Sequence, residues 1–140
     1  MNLKYITNYR VTIIIAIAII FLSLMTSSNV PSSPLINFKG IDKIVHFMMY
    51  FSLTMVYLIE KYIYNKDKTV KIKNNFIGIL LIILLGGLIE IFQPIISNRN
   101  SDFYDFIANS AGVISAYIIF KSFNLKIISI IKSLLKPLNI

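Results

Sequence analysis

The side chains able to do chemistry in this 140-residue chain are few: six acidic residues, a single histidine and no cysteine. Without cysteine there can be no disulfide, thiolate metal site or thiol nucleophile. Spacing groups the remainder. Asp42 and His46 are four residues apart, Glu90 and Gln93 three, and Asp102, Asp105 and Asn109 three and then four. Such intervals place each set along one face of a helix. An imidazole titrating at about 6.5 can serve as acid or base at neutral pH, which makes His46, Glu90 and Asp105 the candidates for proton transfer. Mixed carboxylate and imidazole donors also suit a divalent ion such as Mg²⁺, Mn²⁺ or Zn²⁺. Arg99 offers a planar fork matched to a phosphate or carboxylate. No H-E-x-x-H or serine nucleophile elbow accompanies these residues.

The elements that must hold them are membrane helices. The chain is 56% hydrophobic with a mean hydropathy of +0.75, too apolar for a soluble domain of this size. Its length allows about four spans of roughly 20 residues with short connections, hence a single domain over residues 1–140. An all-α fold is predicted, with helices at about 9–26, 42–63, 76–96 and 102–120 and a C-terminal amphipathic interfacial helix at 122–136. The first apolar run, Val11 to Met25, has the profile of a signal peptide or a retained helix and is read as retained. Asp42 and Ser101 are the expected N-caps of the second and fourth helices. Pro94 should kink or end the third. In the tail, Lys126, Ser129, Lys132, Ser133 and Lys136 oppose a face of isoleucine and leucine, and Pro137 closes the segment.

The formal charge is +8, yet the basic residues lie in the gaps between apolar runs and not in a stripe interleaved with aromatics. That pattern excludes nucleic acid and points to membrane topogenesis. Eleven of the fourteen fall at the N-terminus, the second connection or the tail, against Lys39, Lys43 and Arg99 elsewhere. Both termini are therefore expected in the cytoplasm. Alternation of spans then brings the start of the second helix, the end of the third and the start of the fourth to the same, outer, leaflet. Four of the six acids sit there; Glu60 and Asp67 belong to the basic side. Ionised groups facing lipid near mid-membrane cost about 2.5–3.5 kcal/mol, so the polar faces should turn inward. Asn109 should lie about 10 Å below Asp102 at 1.5 Å per residue, making a pocket of Asp42, Lys43, His46, Glu90, Gln93, Arg99, Asp105 and Asn109.

These residues carry a family likeness. Asp42-Lys43-Ile44-Val45-His46-Phe47, followed by Tyr50-Phe51 and Leu53, resembles the D-K-x-x-H-F motif of VanZ-like proteins. Glu90-Ile91-Phe92-Gln93 is similar to their E-x-x-Q, and Arg99, Asp105, Asn109 and Gly112 match R…D-x-x-x-N-x-x-G. The resemblance runs from about residue 35 to 120, and departs where Ala116 replaces a common glycine. It implies a multi-pass protein of the bacterial cytoplasmic membrane, in a family whose founding member is associated with resistance to the glycopeptide teicoplanin.

Each polar residue also has a structural reading. Asp42 can be an N-cap, Asp102 and Asp105 can offset a helix dipole, and Gly86, Gly87 and Gly112 can permit close helix approach. The lysine-rich tail suits contact with anionic membrane lipid. Three functions stay open. The preferred one is binding or handling of a polar envelope component, a lipid-linked cell-wall intermediate or lipid head group. The second is an intramembrane acid/base or metal-dependent enzyme. The third is a structural network that fixes helix register for a partner protein.

Overall fold

The structure is a computed structural model that describes residues 7–25, 40–64, 72–97 and 100–135, with side chains omitted for 72–74 and 123–135. The described elements are helices: α1 (Arg10–Ser23), α2 (Ile41–Tyr64), α3 (Ile72–Ile96) and α4 (Phe103–Leu135). Three of them contain segments long and apolar enough to cross a membrane, Ile41–Tyr64, Asn75–Ile96 and Phe103–Ser122. Helix α1 is apolar but has only 14 residues, about 21 Å at 1.5 Å per residue, less than a hydrocarbon core of about 30 Å.

The first turns follow capping chemistry, though not at the residues expected. Gly40 precedes α2 with φ of 95°, a left-handed conformation that costs glycine little, and its carbonyl accepts from the Ile44 amide at 3.4 Å. Asp42 therefore lies inside the first turn and is not the N-cap. At α4 the cap is Asp102 in place of Ser101: Asp102 Oδ1 accepts from the Tyr104 amide at 2.8 Å, and an aspartate is both a good acceptor and a favourable charge there. Pro94 neither ends nor opens α3 at once. The helix passes it by two residues and stops where Ser97 folds back, its amide and hydroxyl donating to the Gln93 carbonyl at 2.9 and 2.8 Å. The C-terminal segment is also not a separate element, since the α4 backbone runs unbroken to Leu135.

Packing is centred on α2, which lies most extensively against α4 and also meets α1 and α3. Gly112 makes the α2–α4 approach possible, because a Cβ there would strike the Phe47 carbonyl oxygen. Gly86 lets α3 lie against the Tyr50 ring, 3.2 Å from where its Cβ would be, and Gly87 does the same beside Phe106 at 3.4 Å. Small residues at helix contacts serve this purpose in membranes. Ala116 is fully buried, so the methyl group at that position is accommodated. The core of Ile19, Tyr50, Leu53, Ile82, Ile89 and Val113 joins all the helices. Ile14, Phe21, Ile77, Ile91 and Ile95 point outward, the arrangement expected when the solvent is lipid.

Candidate functional site

Three helices bring polar side chains to one end of the bundle. From α2 come Asp42, Lys43, His46 and Tyr50; from α3, Glu90; from α4 and the residue before it, Asp102, Asp105 and Asn109. The intervals noted in the sequence are one turn of helix each, so successive residues step inward along a common face. His46, Glu90, Asp105 and Asn109 are all at least 95% shielded, whereas the Asp42 side chain is about half exposed at 48%.

At the mouth, Lys43 Nζ donates to Asp102 Oδ2 at 2.8 Å and to Asp105 Oδ1 at 3.3 Å. The ammonium beside it holds the Asp102 carboxyl below the ordinary carboxylate range. One turn further in, His46 stands among carboxylates. Its Nε2 is 3.8 Å from Asp42 Oδ1 and 4.0 Å from Asp105 Oδ2, and its Nδ1 is 3.8 Å from Glu90 Oε1. The Asn109 carboxamide joins two of these groups: its Oδ1 lies 3.0 Å from His46 Nδ1, and its Nδ2 donates to Glu90 Oε1 at 3.4 Å. Two buried polar atoms of the cluster have no hydrogen-bond partner, Glu90 Oε2 and the Tyr50 hydroxyl; Ser23 Oγ, Thr54 Oγ1 and Asn75 Nδ2 are unpaired elsewhere in the bundle. Unpaired groups cost about 1–3 kcal/mol each when buried.

Charge in this region is unbalanced. Among the described residues, Asp42, Glu90, Asp102 and Asp105 supply four carboxylates against the ammonium of Lys43. The cluster can therefore attract a cation, accept hydrogen bonds from hydroxyls or amides, or exchange protons through the imidazole. Asp42, His46 and Asp105 each present one donor atom within 4.8 Å of the others, a separation compatible with a shared ion.

Two expected members are placed differently. Gln93 turns away from the cluster, its Nε2 donating to the Ser23 carbonyl of α1 at 3.1 Å, which satisfies an acceptor left over at that helix end. Arg99 lies outside the described residues. Conversely, Tyr50 is at the cluster although sequence spacing assigned it no role. Its position two turns after Asp42 and one after His46 was the available signal.

Glu60 is also more than a charge on the basic side. Its carboxylate is buried and accepts from the Val11 and Thr12 amides at 3.1 and 3.0 Å and from the Thr12 hydroxyl at 2.6 Å. Tyr9, at the N-cap position of α1, makes no side-chain cap, so α2 supplies the cap from outside. Helix α1 is thus fastened by Glu60 at its first turn and by Gln93 at its last.

Compared with known proteins, the chain matches the VanZ/LLP1 family model over residues 6–126. That interval takes in α1 as well as the motif-bearing helices, and so extends beyond the region that carried the resemblance. No curated protein and no solved structure matches the chain. The family match covers most of the sequence and includes every residue of the cluster, and three helices have the length and composition to cross a bilayer; the chain is a multi-pass membrane protein belonging to the VanZ/LLP1 family.

Proposed function

We propose that this protein binds or handles a polar component of the bacterial cell envelope in the pocket formed by Asp42, Lys43, His46, Glu90, Asp105 and Asn109. The observation that carries the reading is the Glu90–Tyr50 end of the pocket, where a buried carboxylate oxygen and a buried hydroxyl retain unused hydrogen-bonding capacity. A network serving helix register alone gains nothing from such orphans, which weaken a bundle. The acidic lining favours a molecule rich in donors. The sugar hydroxyls and amides of a lipid-linked cell-wall intermediate fit that requirement, while the Lys43 ammonium at the exposed end of the cluster, and in sequence Arg99 shortly before α4, suit its phosphate. The excess of basic residues at the opposite end supports an outer-leaflet pocket in the cytoplasmic membrane, with both termini inside. A lipid head group is the simpler form of the same ligand class, and altered teicoplanin susceptibility is the phenotype that the family suggests.

Binding of lipid-linked precursor to protein in nanodiscs tests the reading. Glu90→Gln and Arg99→Glu should each remain folded by gel filtration and weaken binding by about tenfold or more. Unchanged affinity in both would overturn it. The specific placement of His46 between Asp42, Asp105 and Glu90 favours one second reading, an intramembrane acid/base or metal-dependent enzyme. Turnover of the same precursor by wild-type protein, abolished by His46→Gln, would establish that reading.

A further inference from the structure

We infer that Asp42, His46 and Asp105 form a binding site for a divalent cation, with His46 Nε2, Asp42 Oδ1 and Asp105 Oδ2 as its protein donors. The inference goes beyond the proposed function and does not depend on which envelope molecule enters the pocket.

The argument begins with the imidazole tautomer. His46 Nδ1 lies 3.0 Å from Asn109 Oδ1, and a carboxamide oxygen can only accept. Turning the carboxamide round would set that oxygen against the Glu90 carboxylate, which the Asn109 Nδ2 now meets at 3.4 Å. Of the two neutral tautomers, the one protonated at Nδ1 satisfies this contact and leaves a lone pair at Nε2. Hydrogen bonding through one ring nitrogen commonly fixes the other for a metal.

Two more electron-pair donors lie near Nε2. Asp42 Oδ1 is 3.8 Å away and Asp105 Oδ2 4.0 Å, both too long for a hydrogen bond. A tetrahedral zinc with bonds of roughly 2.0–2.2 Å holds its donors about 3.3–3.6 Å apart, so an inward movement of a few tenths of an ångström by the two carboxylates would close the site on an ion. Lys43 does not fill this role, because its Nζ engages the other oxygen of Asp105, Oδ1, and Asp102 Oδ2. A doubly charged ion would offset much of the excess of carboxylates in this cluster, which matters within a membrane span. Glu90 reinforces the same imidazole from the Nδ1 side at 3.8 Å, with its Oε2 buried and without a hydrogen-bond partner. The imidazole favours Zn²⁺ over Mg²⁺ or Ca²⁺, which prefer oxygen alone, with Mn²⁺ between them. Three protein donors leave coordination positions for an outside oxygen.

The test uses full-length protein in detergent, stripped with chelator and titrated with Zn²⁺, Mn²⁺, Mg²⁺ and Ca²⁺ alone. Stoichiometric Zn²⁺ or Mn²⁺ should survive gel filtration, with Mg²⁺ and Ca²⁺ weaker by about tenfold or more. Asp42→Asn and Asp105→Asn should each lower the affinity by a similar factor. The Asp42 side chain is 48% exposed, so its isosteric variant provides a folded case even if Asp105→Asn misfolds. Glu60→Gln, at the other end of the bundle, should bind as wild type. Because the chain contains a single histidine, its ¹⁵N imidazole signals need no assignment, and Nε2 should shift on Zn²⁺ addition. An imidazole spectrum unmoved by saturating Zn²⁺, or equal binding by wild type and Asp42→Asn, would overturn the inference.

Discussion

Glu60 and Glu90 are both buried glutamates in an apolar bundle, and they are used in opposite ways. Glu60 engages both oxygens, taking two backbone amides and a hydroxyl from α1. Its charge meets the positive end of a helix and its lone pairs meet donors that otherwise have none. Glu90 engages one oxygen weakly with Asn109 and leaves the other without a hydrogen bond, in company with further carboxylates and an unpartnered tyrosine hydroxyl. The first arrangement is complete without an additional molecule. The second leaves an acceptor open, and that contrast distinguishes the two acids more clearly than burial does.

The comparison can be broken at several points. The largest effect should come from Gly112→Leu, which forces the α2–α4 contact apart at the Phe47 carbonyl. Overpacking of this kind costs about 3 kcal/mol, and the folded yield in detergent should fall steeply while Gly40→Ala, where a Cβ meets nothing within 4 Å, causes a smaller loss from its positive φ. Glu60→Leu comes next. Removing the outside cap of α1 should cost about 2 kcal/mol, seen as a lowered Tm with the ligand pocket intact. Glu90→Gln should change Tm by far less than Glu60→Leu while abolishing envelope-ligand binding. Equal destabilisation by the two would erase the distinction drawn between them.

The smallest effect concerns the mouth. Lys43 holds the Asp102 carboxyl below its ordinary range. A depressed folded pKa means that this contact stabilises above the unfolded carboxylate pKa and is lost as pH falls through the lower, folded value. Asp102→Asn should therefore flatten the acid limb of the Tm profile slightly below about pH 4. An unchanged acid limb would show that the pair contributes nothing.

The convergence of α2, α3 and α4 was legible because it needs only helix periodicity and alternating chain direction. Asp42, His46, Glu90, Asp105 and Asn109 meet as those two rules require. What remained hidden depends on side-chain direction across helix boundaries. Glu60 reads as another charge beside Lys61, since nothing local says that Tyr9 will fail to cap α1. Gln93, one turn from Glu90, leaves that group because α1 ends beside it with an open carbonyl. Capping was misplaced by one or two residues at Asp42 and Ser101, where a neighbouring Gly40 or Asp102 served better. The tail differs because alternation of polar and apolar residues does not require a break from the preceding helix, and α4 simply continues.

The cap on α1 has a bearing on biogenesis. Residues 11 and 12 are synthesised well before residue 60, so the first helix must enter the bilayer with its leading amides served by water or phospholipid. Only when the far end of α2 arrives does the protein supply its own acceptor, and until then the order of synthesis leaves α1 free to shift in depth.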